Sequence, residues 1–113
     1  MSFDWPRIAT FCESLPGVLF IVNYGKPEAR ANDRAFAGVS RFEDSFFVAL
    51  DDERVSALLA EAPDTFWQSA NITGWPVLYV RYESERSELV LAAVRDSYQR
   101  ALAAPPRQKA RRG

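Results

Sequence analysis

The chemistry open to this chain is limited first by a residue type it lacks. Its 113 residues include no histidine. No Ser-His-Asp or Cys-His pair can form, and the imidazole sites typical of zinc are excluded. The single cysteine, Cys12, would need a cation or a helix N-terminus beside it to act as a nucleophile. It stands instead in the second half of a helical pattern, on the apolar stripe, and reads as a buried structural thiol. Asp51, Asp52 and Glu53 are three consecutive carboxylates, ligands that suit magnesium or calcium. The same run opens an amphipathic stretch, where acidic groups offset the positive end of a helix dipole. That second reading is adopted, so no metal and no cofactor are expected. The five glycines are scattered and form no phosphate-cradling loop. With no acid–base pair in view, the chain is expected not to be an enzyme.

What remains suits binding. Phe36, Phe46, Phe47, Phe66, Trp67, Trp75, Tyr79 and Tyr82 fall in or beside strand-like runs. In SFFVAL and WPVLYVRY both strand faces are apolar, so alternation alone does not decide which is buried. If helices cover one face only, aromatics are left on the other. Arg30, Arg34 and Arg81 beside Trp67 and Trp75 would then make a stacking surface for bases, for a protein or for a second copy of the chain. The competing reading is core packing, with the irregular stretch and the last helix covering these rings. Gln68, Asn71 and Thr73 are candidates for the rim of such a surface, while Lys26 and Arg41 read as surface cations.

Charge bears on the partner. Residues 1–104 carry 10 basic and 15 acidic side chains, whereas PPRQKARRG adds four basic groups, Arg107, Lys109, Arg111 and Arg112, and no acid. Nonspecific binding to nucleic acid is largely neutralisation of phosphate. An acidic body opposes it, so any DNA binding is expected to be weak and salt-dependent, with a small contribution from the tail.

The elements that must position these groups can be read in order. Asp4 caps a first helix to about Leu15, with Pro6 in its first turn and Trp5, Ile8, Cys12 and Leu15 at helical spacing. Pro16 and Gly17 stop it. Short strand-like runs follow at Val18 to Tyr24, Ala29 to Ala31, Arg34 to Val39 and Ser45 to Leu50. Asn32-Asp33 reads as a tight turn, because both residues tolerate left-handed angles. A second helix opens at Asp51 with the stripe Val55, Leu58, Leu59 and Ala62, and Pro63 closes it. PDTFWQSANITG reads as irregular. Trp75 to Tyr82 is a further strand, with Pro76 near its start. Ser84 or Ser87 caps a long last helix whose stripe is Val90, Val94, Ser97, Tyr98, Ala101 and Leu102. Brief connections between strands favour an antiparallel meander. The expected fold class is therefore α+β: a two-layer α/β sandwich with helices packed on one face of an antiparallel sheet.

The order of these signals resembles the MmcQ/YjbR family. The residues that carry the resemblance are SLPGV (14–18), ARANDRAFAGVS (29–40), SFFVALDDERVSALLAEAPDTF (45–66), GWPVLYVRY (74–82) and SELVLAAVRDSYQRAL (87–102). The resemblance implies a frataxin-like fold and a DNA-binding label drawn from likeness to a double-wing domain. Ala49 stands where the family often carries lysine, and Ser69 to Thr73 replace a basic approach to the GW pair; Arg34 keeps the hairpin cation. One domain over residues 1–104 and a disordered basic tail over 105–113 are expected. The longest apolar run, Val18 to Val22, is too short to cross a bilayer. A lone cysteine and no visible leader fit the cytoplasm.

Overall fold

The computed structural model describes residues 2–105. The elements are α1 (Trp5–Glu13), β1 (Leu19–Asn23), β2 (Lys26–Ala31), β3 (Arg34–Val39), β4 (Ser45–Ala49), α2 (Asp52–Glu61), β5 (Phe66–Trp67), a one-turn helix (Ala70–Ile72), β6 (Val77–Arg81) and α3 (Ser87–Ala103). The strands form one sheet in the order β1-β2-β3-β4-β6-β5, antiparallel throughout. The expected two-layer α+β arrangement is the one observed. The basic tail at Arg107, Lys109, Arg111 and Arg112 lies outside the described residues.

Local chemistry explains most boundaries. The Asp4 carboxylate accepts from the Arg7 amide at 2.9 Å, capping α1 as expected. Ile8 and Cys12 are its fully buried positions, and Trp5, Phe11 and Leu15 pack at the margin of the core. In α2, Val55 and Leu58 point inward. Asp51 at its start meets Arg100 of α3 at 2.8 Å, and Arg54 meets Asp96 at 3.0 Å, so these charges tie one helix to the other. Neither Ser84 nor Ser87 caps α3. Arg86 occupies the N-cap position without a side-chain bond, and Ser84 turns inward instead, sharing a buried hydrogen bond of 2.7 Å with Thr65. Val90, Val94, Ser97, Tyr98 and Ala101 are buried as the stripe requires. Leu102 is 45% exposed, because it lies past the edge of the sheet-facing side. PDTFWQSANITG is more ordered than its composition suggests, since it holds β5 and the one-turn helix.

Register decides what each face carries. Phe46 pairs with Val80 and Val48 with Leu78, and all four are fully buried beneath the helices. Phe46 lies 5.4 Å from Tyr82 and 6.4 Å from Trp5, ring to ring. Between β2 and β3 the register shifts: Ala29 pairs with Ala37 and Arg30 with Ala35, leaving Phe36 unpaired. Such a bulge bends the strand. Phe36 and Ala37 are both fully buried, and Phe36 meets the Tyr98 ring at 5.6 Å.

The β2–β3 turn also anchors α3. Asn32 and Asp33 have φ of 53° and 61°, the left-handed pair that a tight hairpin turn requires. From there the Asn32 amide donates to the carbonyls of Ala101 (2.9 Å) and Ala104 (3.0 Å), and Arg34 donates to those of Asn32 and Pro105. Carbonyls at a helix C-terminus lack intrahelical donors, and this turn supplies them.

Two outcomes follow. Asn32→Gly keeps the left-handed backbone and removes only the side-chain donors; it should lower stability by about 1–2 kcal/mol in urea melts. Asn32→Ala, with the added left-handed penalty, should cost more. The second outcome concerns Cys12, whose burial pushes the thiol from its ordinary 9.0 up to about 12. Tyr82 is likewise raised from 10.0 to about 12, by burial and then by the Asp4 carboxylate. Below these ordinary values both folded and unfolded chains keep the protons. Above them only the unfolded chain releases protons until the raised values are reached, so stability should fall as pH climbs from about 9 toward 12. Cys12→Ala should flatten that fall in a pH series of urea midpoints. A native thiol that labels as fast as the denatured one would contradict its burial.

Candidate functional site: an aromatic open sheet face

The side chains opposite the helices come from alternate positions of the same strands. Phe47 pairs with Tyr79, Ala49 with Val77 and Ser45 with Arg81, while Trp67 on β5 pairs with Tyr79 from the other side. Three rings therefore stand side by side. A fourth, Phe42, is delivered by the β3–β4 loop. The Ser40 hydroxyl donates to the Ser45 carbonyl at 2.6 Å and accepts from the Phe42 amide at 3.1 Å, folding the loop back over the sheet. Phe42 then lies 4.9 Å from Trp67 and 5.0 Å from Tyr79, edge to face in both cases, and Trp67 lies 5.0 Å from Tyr79. The indole N–H of Trp67 donates to the Ser45 hydroxyl at 3.0 Å, fixing the ring.

Phe47 is held by an absence. A β-carbon on Gly38 would come within 2.6 Å of the Phe47 ring and 2.8 Å of the Glu28 β-carbon. Only glycine lets the Phe47 ring lie down on β3.

Beyond Phe47 the face deepens into a hollow of about 350 Å³ lined by Ser40, Arg41, Phe47, Ile72, Trp75, Val77 and Tyr79. Gln68 ties down the segment that carries Trp75. Its amide donates to the carbonyls of Trp75 (3.0 Å) and Val77 (2.9 Å), and Thr73 bonds back to the Ser69 carbonyl at 3.0 Å. Gly74, at φ of 85°, lets the loop turn there. Ile72 is buried under this loop, whereas Trp75 stays 56% exposed at the mouth.

Two cations on this face rest on rings. The Arg81 guanidinium sits 5.1 Å over Trp67, and that of Arg41 sits 4.9 Å over Phe42. Among the described residues neither joins an ion pair, and the Arg81 Nη1 is shielded without a hydrogen-bond partner.

The five residues singled out from sequence are thus divided. Arg81 and Trp67 form one stacked unit. Trp75 belongs to the adjacent hollow, in the loop before β6 rather than within the strand. Arg30 is on the same face but is held by Glu28 (2.9 Å) and Asp33 (3.7 Å). Arg34 leaves the other side of the hairpin, since Ala31, its partner in register, faces the helices, and its guanidinium donates to the carbonyls of Asn32 and Pro105. The three arginines do not converge. Core packing and surface display are both realised: Phe36, Phe46 and Phe66 are buried under the helices, and Phe47, Trp67 and Tyr79 pack on the opposite face. Arg41 and Phe42 were missed as site residues. The available signal was a lone aromatic within a polar hairpin loop, Ser40-Arg41-Phe42-Glu43-Asp44. Ile72 and Val77 gave no signal apart from being apolar.

The fold is shared with a solved structure, the Deinococcus radiodurans protein DR2400, a DUF419 domain. The TM-score is 0.77 over 90% of this chain and 80% of that one, at 16% sequence identity. No family model matches the chain, and no curated protein matches it.

Gly38→Ala tests the packing that shapes the hollow. The added methyl must displace the Phe47 ring, so stability should drop by roughly 1–3 kcal/mol and the near-ultraviolet dichroism of the aromatic cluster should change. Unchanged spectra and stability would mean that the ring swings aside freely.

Proposed function

We propose that the chain is a noncatalytic binding domain of the MmcQ/YjbR type that receives a planar or apolar group in the Trp75 hollow. That group belongs to a small ligand or to a side chain of a partner protein. The hollow beneath Trp75 carries the reading, because its volume of about 350 Å³ falls at the lower end of ligand pockets, about 300–1,000 Å³. Phe47, Val77 and Tyr79 form an apolar floor, and Trp75 presents an exposed ring against which a planar group can stack. Arg41, which lines the hollow at an exposed position, suits a negatively charged substituent on the same ligand. The fold shared with DR2400 supports the family assignment, since DUF419 is related to the MmcQ/YjbR family. The absence of histidine supports a noncatalytic role, and a single buried thiol suits a cytoplasmic setting.

DNA binding is the second reading, favoured by the cations stacked on Trp67 and Phe42, an arrangement that also suits unstacked bases. Duplex binding has less support, because Arg30 is neutralised by neighbours and Arg34 points elsewhere.

One set of titrations separates the readings. Aromatic carboxylates, a random duplex and a random single strand are each added to the full chain at two salt concentrations, followed by amide shifts and tryptophan fluorescence. The proposed reading expects the carboxylates to move residues 40–42, 47 and 72–79, with Trp75→Ala abolishing the effect and salt weakening it only as one exposed ion pair requires. Single-strand binding lost in Arg81→Ala would move the nucleic-acid reading to first place. Duplex affinity, if phosphate-based, falls about 0.9 log units per contact per decade of salt. Shifts scattered away from the hollow, or none with the carboxylates, would refute the proposed site.

A further inference from the structure

The sheet has two edges of very different character. At one, β5 is only two residues long. At the other, β1 presents Leu19, Phe20, Ile21, Val22 and Asn23 with every residue exposed, including Leu19 and Val22 at 69%. Among the described residues β1 is paired only with β2. Folded proteins usually blunt such an edge with charge, proline or a bulge. Between Val18 and Gly25 there is no charged residue and no proline, and the irregularity in this region falls between β2 and β3 instead.

We propose that β1 is a dimerisation strand: two copies of the chain pair it in antiparallel register about a two-fold axis at Ile21, joining two sheets into one. The hairpin turn supports this register. Tyr24 and Gly25 form a two-residue turn with φ of 53° and 77°, closing on Asn23 opposite Lys26. Hydrogen-bonded and non-bonded pairs alternate from such a turn. Asn23, Ile21 and Leu19 therefore spend their backbone groups on β2, while Phe20 and Val22 direct theirs to the free edge. Centred on Ile21, the pairing sets Phe20 against Val22 of the other copy, and Val22 against its Phe20. The outward donors and acceptors of each strand meet those of the other.

Side chains favour a second copy over an unrelated strand. From Leu19 to Val22 both faces of β1 are apolar, so a suitable partner must be apolar on both faces too, and β1 is itself such a strand. No like charges meet in this register. The β1–β2 hairpin carries Lys26, Glu28 and Arg30, so the acidity of the rest of the body is not concentrated at the joint. A strand pair alone buries less than a standard stable interface, which implies a dimer of micromolar rather than nanomolar affinity.

Sedimentation of the full chain across a concentration series should show a reversible shift from one chain mass to two. Ile21→Lys places two ammonium groups opposite each other across the axis, with Glu28 as its neighbour within the monomer. It should weaken dimerisation by about tenfold or more while leaving the monomer's thermal melt near that of the parent. Amide exchange gives a readout independent of folding in the variant. The Phe20 and Val22 amides should gain protection as concentration rises, whereas the Ile21 amide is protected throughout. A monomer at every concentration, a dimer that survives Ile21→Lys, or Phe20 and Val22 amides indifferent to concentration would each overturn the proposal.

Discussion

β4 and β6 are neighbouring central strands with large apolar residues on both faces, and three helices can cover only one of those faces. The rest of the molecule is arranged around that constraint. Register assigns Phe46, Val48, Leu78 and Val80 to the helices and Phe47, Val77 and Tyr79 to the opposite face. A slip of one residue in either strand would exchange the two sets, placing Ser45 or Arg81 under the helices. Burial of an unpaired guanidinium there would cost far more than any packing gained. The arrangement is therefore strongly specified even though both strands read as apolar throughout.

The face without helices is covered by smaller devices. Phe42 folds over from a loop, Phe47 lies on Gly38, the segment 68–76 wraps one end, and Arg41 and Arg81 lay guanidinium planes on rings. Each covers apolar area without closing the face, and the hollow at Trp75 is where the cover stops. The Arg41 guanidinium covers the Phe42 ring while its donors stay at the surface. At the far edge, nothing among the described residues covers β1 in this way.

The Asn32-Asp33 turn shows how a local signal acquires a distant task. Its left-handed pair is a property of two residues and was legible in sequence. Its hydrogen bonds to Ala101 and Ala104 join residues 69 and 72 positions apart, and they fix the end of α3 over β3. The same turn directs the Arg34 guanidinium to the carbonyls of Asn32 and Pro105, away from the open face.

Local chemistry sufficed for the α1 cap at Asp4, the apolar stripes of α1 to α3, the tight turn, the central strands and the absence of an imidazole site, because each depends on residues within a turn or two of one another. The antiparallel sheet with helices on one side followed from the order of those elements. Whether Phe47 or Phe46 faced the helices was not decided by alternation, because both strand faces are apolar. The convergence of Arg30, Arg34 and Arg81 depended on strand order, on a bulge that leaves Phe36 unpaired, and on partners such as Glu28 and Pro105 that only tertiary structure brings within reach. The hollow at Trp75 is assembled from β4, β6, the one-turn helix and two loops, and no local pattern contains it. By itself the sequence determined the three helices and the longer strands and excluded histidine chemistry, since those rest on residue type and short-range geometry; β5 and the one-turn helix did not show in it. Tertiary structure decided which side chains share a face, since that is set by long-range register and by which surface the helices leave uncovered.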